Sequence, residues 1–338
     1  MSVGLDIGSK TIKVVELSPE GSSWRLRASG IVGYKGVPPD QCKDDKELAP
    51  LVEVLKKLYK EAKINSRDVS IALSESSVYT RIVKFPLLTD SELASAVRWE
   101  AEQYIPIPAA EAIIQHQVIE RRENTTPPSV DVLLVAAPRL VVERYVRAIE
   151  MAGLSLASVE TELISLSRSL GVDGQSVLVS DLGARSTDIA IVRNGKLVFS
   201  RSFPTGGEAF TRAVSQYLGI DQVQAEEYKR TYGLIQTQLE GKVRQSLEPV
   251  IHLVGDEMRK ALHYYQSESK GDQVHSVILS GGSAGLPEVA AMLTQLLGVE
   301  VVVGNPFSKI TVDPGAVKSL TGYAPFYSIA CGLAMRQK

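Results

Sequence analysis

Two apolar runs open the chain, residues 3–7 and 11–17, and their spacing predicts two strands joined by a turn. A third strand, 24–34, follows Gly21-Ser22-Ser23, and Pro38-Pro39 closes this β section. Leu48, Leu51, Val52, Leu55, Leu58, Tyr59 and Ala62 then recur at helical spacing, and a short apolar strand follows at 69–73. The order β-β-β-α-β makes one α/β unit.

The pattern changes at residue 78. VYTRIVKFP reads as a strand, and TDSELASAVRWEAEQYIP as a helix capped by Thr89 or Asp90, with Glu92 in its first turn. Pro106 and Pro108 stop that helix. EAIIQHQVIE and VDVLLVAAP are two more strands around a turn-rich loop, and a helix over 140–151 ends at Gly153. This α+β stretch, 78–154, has the look of an inserted subdomain. Beyond it, 177–180 and 188–192 are strands around a polar interruption, and Asn194-Gly195 turns the chain into a third strand over 196–203. Helices follow near 208–218, 222–232 and 243–268, then a strand at 276–280, a helix at 287–297, a strand at 299–303 and a last helix near 326–335.

Composition excludes several classes. The chain has 338 residues, 44% hydrophobic and 22% charged, with a formal net charge of −2, so nothing global points to nucleic acid. The paired basic residues Lys56-Lys57 and Arg121-Arg122 read as solvated faces. Two distant cysteines, Cys42 and Cys331, form no metal spacing or disulfide framework, and a reducing compartment suits them. The four histidines, at 116, 252, 263 and 275, lack ligand spacing. Asp6 and Lys10 interrupt the N-terminal apolar stretch, so it does not read as a signal peptide. The longest uncharged stretch, 319–335, carries a proline and polar residues and falls short of the ~20 apolar residues of a membrane span. A soluble protein is expected, with any membrane contact made through a partner.

One pattern repeats. GLDIGSKTIKVVEL and VSDLGARSTDIAIV both run strand, Asp, apolar residue, Gly, small or polar residues, a hydroxyl residue, strand. Asp6 and Asp181 lie 175 positions apart (181 minus 6), about half the chain, which suggests duplicated α/β domains facing each other. A single hairpin of this kind reads most simply as an Asx-type turn; the second copy changes that. Gly8 and Gly183 let backbone N–H groups point at an anion. Ser9, Thr11, Ser186 and Thr187 add hydroxyls, and Lys10 and Arg185 add charge. Lys10 is open between reaching a phosphate and pointing into solvent. Asp6 and Asp181 would repel a bare phosphate but suit a hydrated Mg²⁺, which keeps most of its waters.

Three further stretches fit a nucleotide. Gly206-Gly207 precede a helix, where a phosphate can sit at the N-terminus. Gly281-Gly282-Ser283 follow a buried strand, where glycines let a flat group approach the backbone. Glu226 and Lys229 share a helix face and are placed to reach ribose hydroxyls, although such a pair is more often a surface ion pair. No G-x-x-x-x-G-K-[ST] stretch is present, which excludes a P-loop, and no G-x-G-x-x-G opens a helix.

Asp-Ile-Gly-Ser at 6–9, Asp-Leu-Gly-Ala-Arg-Ser-Thr at 181–187 and Ser-Gly-Gly-Ser at 280–283 resemble the phosphate-1, phosphate-2 and adenosine motifs of the actin-like ATPase superfamily. Within it, AVRWEAEQYIPIP (96–108), AAPRLVVERYVRAIEMAGL (136–154), AEEYKRTYG (225–233) and ILSGGSAGLPEVAAMLTQLLGVEV (278–301) are similar to the PilM family of type IV pilus assembly, over essentially the whole length. The resemblance implies an actin-like ATPase fold of two duplicated ribonuclease-H-like α/β domains in an FtsA-like arrangement. Subdomain 1A would take 1–77, 155–175 and 311–338; subdomain 1C, 78–154; subdomain 2A, 176–205 and 273–310; and subdomain 2B, 206–272.

It further implies ATP and Mg²⁺ in the cleft, with Asp6 and Asp181 on the metal and Gly8, Ser9, Lys10, Thr11, Gly183, Ala184, Arg185, Ser186, Thr187, Gly206, Gly207, Glu226, Lys229, Gly281, Gly282 and Ser283 on the nucleotide. Glu162 matches the water-positioning acid best, with Glu160 nearby, and at most slow hydrolysis is expected. The implied partner is the short cytoplasmic N-terminal tail of PilN, docked near the 1A/1C groove, where Val97, Tyr104 and Ile105 either touch the tail or pack the core. Contacts to the pilus motor ATPases and the platform protein are also implied, as is a cytoplasmic place at the inner membrane through a partner. The alternatives are an actin-fold small-molecule kinase, for which no substrate base is evident, and an FtsA-like cytoskeletal ATPase, whose amphipathic C-terminal membrane helix has no counterpart in LAMRQK.

Overall fold

The computed structural model describes residues 1–268 and 272–336. The expected ranges 206–272 and 311–338 include 269–271 and 337–338, which lie outside the described residues. In chain order the elements are β1 (Ser2–Ile7), β2 (Thr11–Glu20), β3 (Ser23–Gly33), α1 (Asp45–Ala62), β4 (Asp68–Leu73), β5 (Tyr79–Pro86), α2 (Asp90–Tyr104), β6 (Ala112–Arg122), β7 (Ser129–Pro138), α3 (Arg139–Met151), β8 (Ser155–Thr161) and α4 (Glu162–Leu170). The second half adds β9 (Ser176–Leu182), β10 (Thr187–Arg193), β11 (Lys196–Phe203), α5 (Gly207–Leu218), α6 (Gln222–Tyr232), α7 (Lys242–Glu268), β12 (Ser276–Ser280), α8 (Val289–Leu297), β13 (Glu300–Val303), β14 (Ile310–Thr311), α9 (Pro314–Thr321) and α10 (Ser328–Ala334).

The two large sheets share one topology. The first runs β14-β3-β2-β1-β4-β8 and the second β11-β10-β9-β12-β13, so the order third-second-first-fourth-fifth strand recurs, with β14 added at one edge. In both, the first three strands are antiparallel and the last two run parallel to the first. Alternation along β1 and β2 divides their apolar residues between two cores. Leu5, Ile12 and Val14 pack under α1 and α3, whereas Val15 and Leu17 pack against α10. The outer face of the second sheet packs on α5, α7 and α8 through Leu178, Ile189, Phe210, Ile251 and Leu293.

Helices α4 and α10 fill the space between the sheets, α10 against β1, β2 and β4, α4 against β9, β10 and β11, and each against the other. Glycine makes this possible. A Cβ on Gly4 would collide with the backbone of Ala330, and one on Gly332 with the backbone of Ser165. The last helix, expected near 326–335, begins two residues earlier as a 3-10 turn over Ala324–Tyr327 and continues as α10.

The inserted layer is a three-stranded antiparallel sheet, β5-β7-β6, with α2 on one face. Thr89 is the N-cap of α2 in a full capping box with Glu92. Val130, Val132, Leu134 and Ala136 of β7 meet Leu93, Val97 and Ala101 of α2, while Leu133 faces the main body. Helix α3 packs elsewhere. Its Tyr145, Ala148 and Ile149 join the core under α1, so the layer that stands apart ends near Pro138, short of the expected 154. Arg121 and Arg122 are not simply solvated. They bind Leu88 O and Asp90, and Asp131 and Glu120, within the layer.

Candidate functional site

Strands β1 and β9 each carry an aspartate to the open end of a sheet. Asp6 lies opposite Lys13 and Asp181 opposite Asp188, so the two hairpins match residue for residue. The glycines do the same work in both. A Cβ on Gly8 would lie 2.9 Å from Thr11 O, and one on Gly183 would lie 3.0 Å from Ser186 O. Only a residue without a Cβ lets each turn fold back on itself this tightly. Ser9 and Thr11, like Ala184 and Ser186, are partly exposed at the two tips.

Acid accumulates between the hairpins. Lys13 Nζ donates to Asp6 Oδ2 at 2.9 Å, and both side chains are buried. Asp181 is pushed up to about 7, first by burial and then by the charge of Asp188, with Lys13 opposing. Asp188 is also raised by burial, against hydrogen bonds from Ser202 and Ser186. Ser186 Oγ donates to Asp188 Oδ2 at 2.9 Å, while Asp188 Oδ1 is buried with no hydrogen-bond partner among the described residues. Glu162, at the start of α4, is held well above the usual carboxylate range by burial and then by Asp188, Asp6, Asp181 and Glu75. Glu75 is raised by burial although it accepts the Leu163 N–H at 3.0 Å. Five carboxyl groups and one lysine leave an excess of buried acid, which a cation would relieve. Among the described residues, no group of three or more His, Cys, Asp or Glu is arranged to hold a metal directly.

Glu160 does not join this cluster. It pairs with Arg168 at 2.7 Å and with Arg336 at 3.6 Å, which singles out Glu162 as the acid facing the hairpins.

The start of α5 differs from expectation. Gly207 N and Glu208 N donate to Gly183 O and Ala184 O at 2.9 and 2.8 Å, and Ala209 N to Gly206 O at 2.9 Å. The first-turn donors are therefore engaged, and this N-terminus staples α5 to the second hairpin instead of presenting free N–H groups. Gly206 is needed for that approach, since a Cβ there would lie 2.7 Å from Gly183 O. Lys229 is no surface cation. Its Nζ is buried and donates to Gly207 O, Thr211 Oγ1 and Glu226 Oε2 at 3.1, 2.9 and 2.6 Å. A Cβ on Gly207 would lie 2.9 Å from Ser283 Oγ and 3.6 Å from Lys229 Nζ, so Gly207, Ser283, Lys229 and Glu226 form one wall. Gly281 has φ +84, and a Cβ there would lie 2.8 Å from Asp181 Oδ1. Gly282 is exposed beside Phe326. Arg185 and Thr187 part company at the second tip. Arg185 is exposed, whereas Thr187 is buried and donates to Thr205 O at 2.6 Å.

Lys10 is expected either to reach a phosphate or to point into solvent; its Nζ forms an ion pair with Glu208 Oε1 at 2.8 Å. In the inserted layer, Val97 is core, 2% exposed, and Ile105 is buried, whereas Tyr104 is 47% exposed. All four histidines are exposed, and both cysteines are buried and free.

The family model for "Type IV pilus assembly protein PilM" matches residues 4–338. The chain belongs to the PilM family. A solved PilM-PilN type IV pilus biogenesis complex superposes with TM-score 0.84 at 29% identity, over 99% of this chain and 98% of that one. The cell division protein FtsA of Bacillus subtilis is 23% identical over 90% of this chain and 78% of its own length. MreB5 of Spiroplasma citri, solved bound to AMPPNP, shares the fold, with TM-score 0.56 and 14% identity over 98% of this chain and 93% of that one. The duplicated sheets and the neighbours place this PilM-family chain in the actin-like ATPase superfamily.

Sequence reasoning missed Lys13, Glu75, Asp188 and Asp40. The repeat offers a signal for two of them. Lys13 and Asp188 stand seven residues after the two motif aspartates, at matching places in the second strand of each hairpin. Glu75 follows β4 in a 3-10 turn, and Asp40 lies in another after β3, so only the folded chain brings them to the cleft.

Proposed function

We propose that this protein is a nucleotide-dependent scaffold of type IV pilus assembly, which takes ATP with Mg²⁺ between its two hairpins and the cytoplasmic N-terminal tail of PilN at its inserted layer. The observation that carries the nucleotide reading is the matched pair of glycine-turned hairpins with Asp6 and Asp181 at their bases. The AMPPNP bound to the fold neighbour MreB5 supports it. The buried acid fits the metal: Asp188 Oδ1 is an orphaned acceptor, and burial and the neighbouring Asp188 raise Asp181 to about 7, a strain that a cation would relieve. The waters of a hydrated Mg²⁺ donate hydrogen bonds, and Asp6 and Asp181 would accept them and hold that shell while the ion neutralises phosphate charge. Glu162 is the residue suited to orient a water, so turnover would rest on one partly buried carboxyl and be slow.

The tail reading is supported by a groove. A cavity of about 310 Å³ lies between β5 and β11, each an edge strand of its sheet, and is lined by Glu75, Tyr79, Arg81, Tyr104, Ser200 and Ser202 among others. The Arg81 guanidinium sits 3.6 Å over the Tyr104 ring, holding an exposed aromatic in place. Edge strands offer unpaired backbone groups to an extended peptide. The solved relative is a PilM-PilN complex, which has the same kind of partner. Through that partner, which links to the platform and the motor ATPases, a chain whose described helices are none of them long and apolar enough to cross a membrane would be held at the inner membrane. A synthetic peptide of the PilN N-terminal tail should bind with roughly micromolar affinity, and Tyr104→Ala should weaken it about tenfold or more. A tail peptide that gives no fluorescence-anisotropy change with the wild-type protein would overturn the scaffold reading.

A further inference from the structure

The two hairpin tips carry matching cations, and the first of them faces an acid from the other half of the molecule. Lys10 and Arg185 are separated by the same 175 positions as the motif aspartates (185 minus 10). Lys10, on the first hairpin, pairs with Glu208 in the first turn of α5 at 2.8 Å. Arg185, on the second hairpin, is exposed.

Glu208 is not a loose surface acid. Its backbone N–H is bound to Ala184 O at 2.8 Å, so it moves with the second hairpin. Lys10 is anchored at its own end, where its carbonyl accepts the Tyr34 N–H at 2.7 Å. The Lys10–Glu208 pair therefore ties one tip directly to the other. The tip lysine that would meet a polyphosphate is already engaged by a protein acid.

We propose that Glu208 is an internal competitor for the phosphate chain: it holds Lys10 across the cleft mouth in the nucleotide-free protein and is displaced when a nucleoside polyphosphate takes Lys10. This rests on the nucleotide reading of the cleft and adds to it a residue that sets phosphate affinity. No bond is made or broken in the exchange. One carboxylate leaves an ammonium group and a phosphate oxygen replaces it, which makes nucleotide affinity a difference between two charge pairs.

The test is calorimetric titration of Mg·ATP into the full chain, at fixed ionic strength, for wild type, Glu208→Gln, Lys10→Gln and the double variant. Glu208→Gln should bind about two- to fivefold more tightly, the range for release of one exposed ion pair. Lys10→Gln should bind more weakly. In the Lys10→Gln background, Glu208→Gln should bring no gain, because nothing remains to be released. A gain of equal size in both backgrounds would mean that only long-range repulsion was removed, and would overturn the competition. So would unchanged or weaker binding by Glu208→Gln. Wild-type protein that binds no Mg·nucleotide would overturn the cleft reading and this inference together, whereas binding that ignores Glu208 would overturn this inference alone.

Discussion

Lys13 and Asp188 hold the same place in the two hairpins and carry opposite charge. That asymmetry divides the cleft. On the first side Asp6 is neutralised by a buried lysine at 2.9 Å; on the second, Asp181 and Asp188 stand side by side with Glu162 in reach. The consequence for stability has a definite sign. Asp181 has its folded-state value raised from 3.8 to about 7, so between those values the folded protein holds a proton that the unfolded chain has released. Stability from this group is present below about 4 and is lost as pH rises through about 7. Ligand-free wild type should therefore lose more melting temperature between pH 6 and 8 than Asp181→Asn does. Parallel curves for the two proteins, by circular dichroism, would contradict the assignment of the buried charge. The residue scale was half legible beforehand. Asp6, Asp181 and the glycines announce themselves by repetition, but a lone Lys13 or Glu75 has no pattern until the strands pair.

At the scale of elements, the strands of both halves were readable because their apolar runs are unbroken and Asn194-Gly195 supplies a turn with φ 51 and 72. Four elements were not. Helix α4 buries Ser165, Ser167 and Ser169 beside its leucines, which erases the apolar stripe that marks a helix. Strand β8 is half polar and slips register against β4, β14 is two residues long, and α9 buries only Leu320. The serines of α4 have a reason: the backbones of α4 and α10 approach so closely that Ser165 Oγ donates to Ile329 O at 2.6 Å. Gly332→Ala would force a Cβ into Ser165, and should cost about 1–3 kcal/mol. A urea midpoint equal to wild type would show that the two helices can part more easily than this packing allows.

For the whole molecule, the question is how a nucleotide in the cleft is felt at the inserted layer. The layer is tied to the second half as well as the first. Lys196 Nζ of β11 donates to Ile119 O at 2.7 Å, and Arg193 pairs with Glu120 at 2.6 Å. The groove beside it shares residues with the cleft wall. Glu75 lines the groove, and its N–H donates to Glu162 at 3.4 Å; Ser202 lines the groove and stands opposite Asp188 in the strand pairing. A ligand that draws the halves together can therefore bias the layer's groove, and occupation of the groove must bias the cleft by the same factor. All of this depends on the cleft being a nucleotide clamp. Its most direct test is Mg·ATP affinity by calorimetry for wild type, Asp6→Ala and Asp181→Ala, with Mg²⁺ and in excess chelator. The clamp predicts saturable binding by wild type, weakened about 10- to 100-fold by either substitution when Mg²⁺ is present and much less when it is absent. Equal affinities for all three proteins with Mg²⁺, or no binding by wild type, would contradict it.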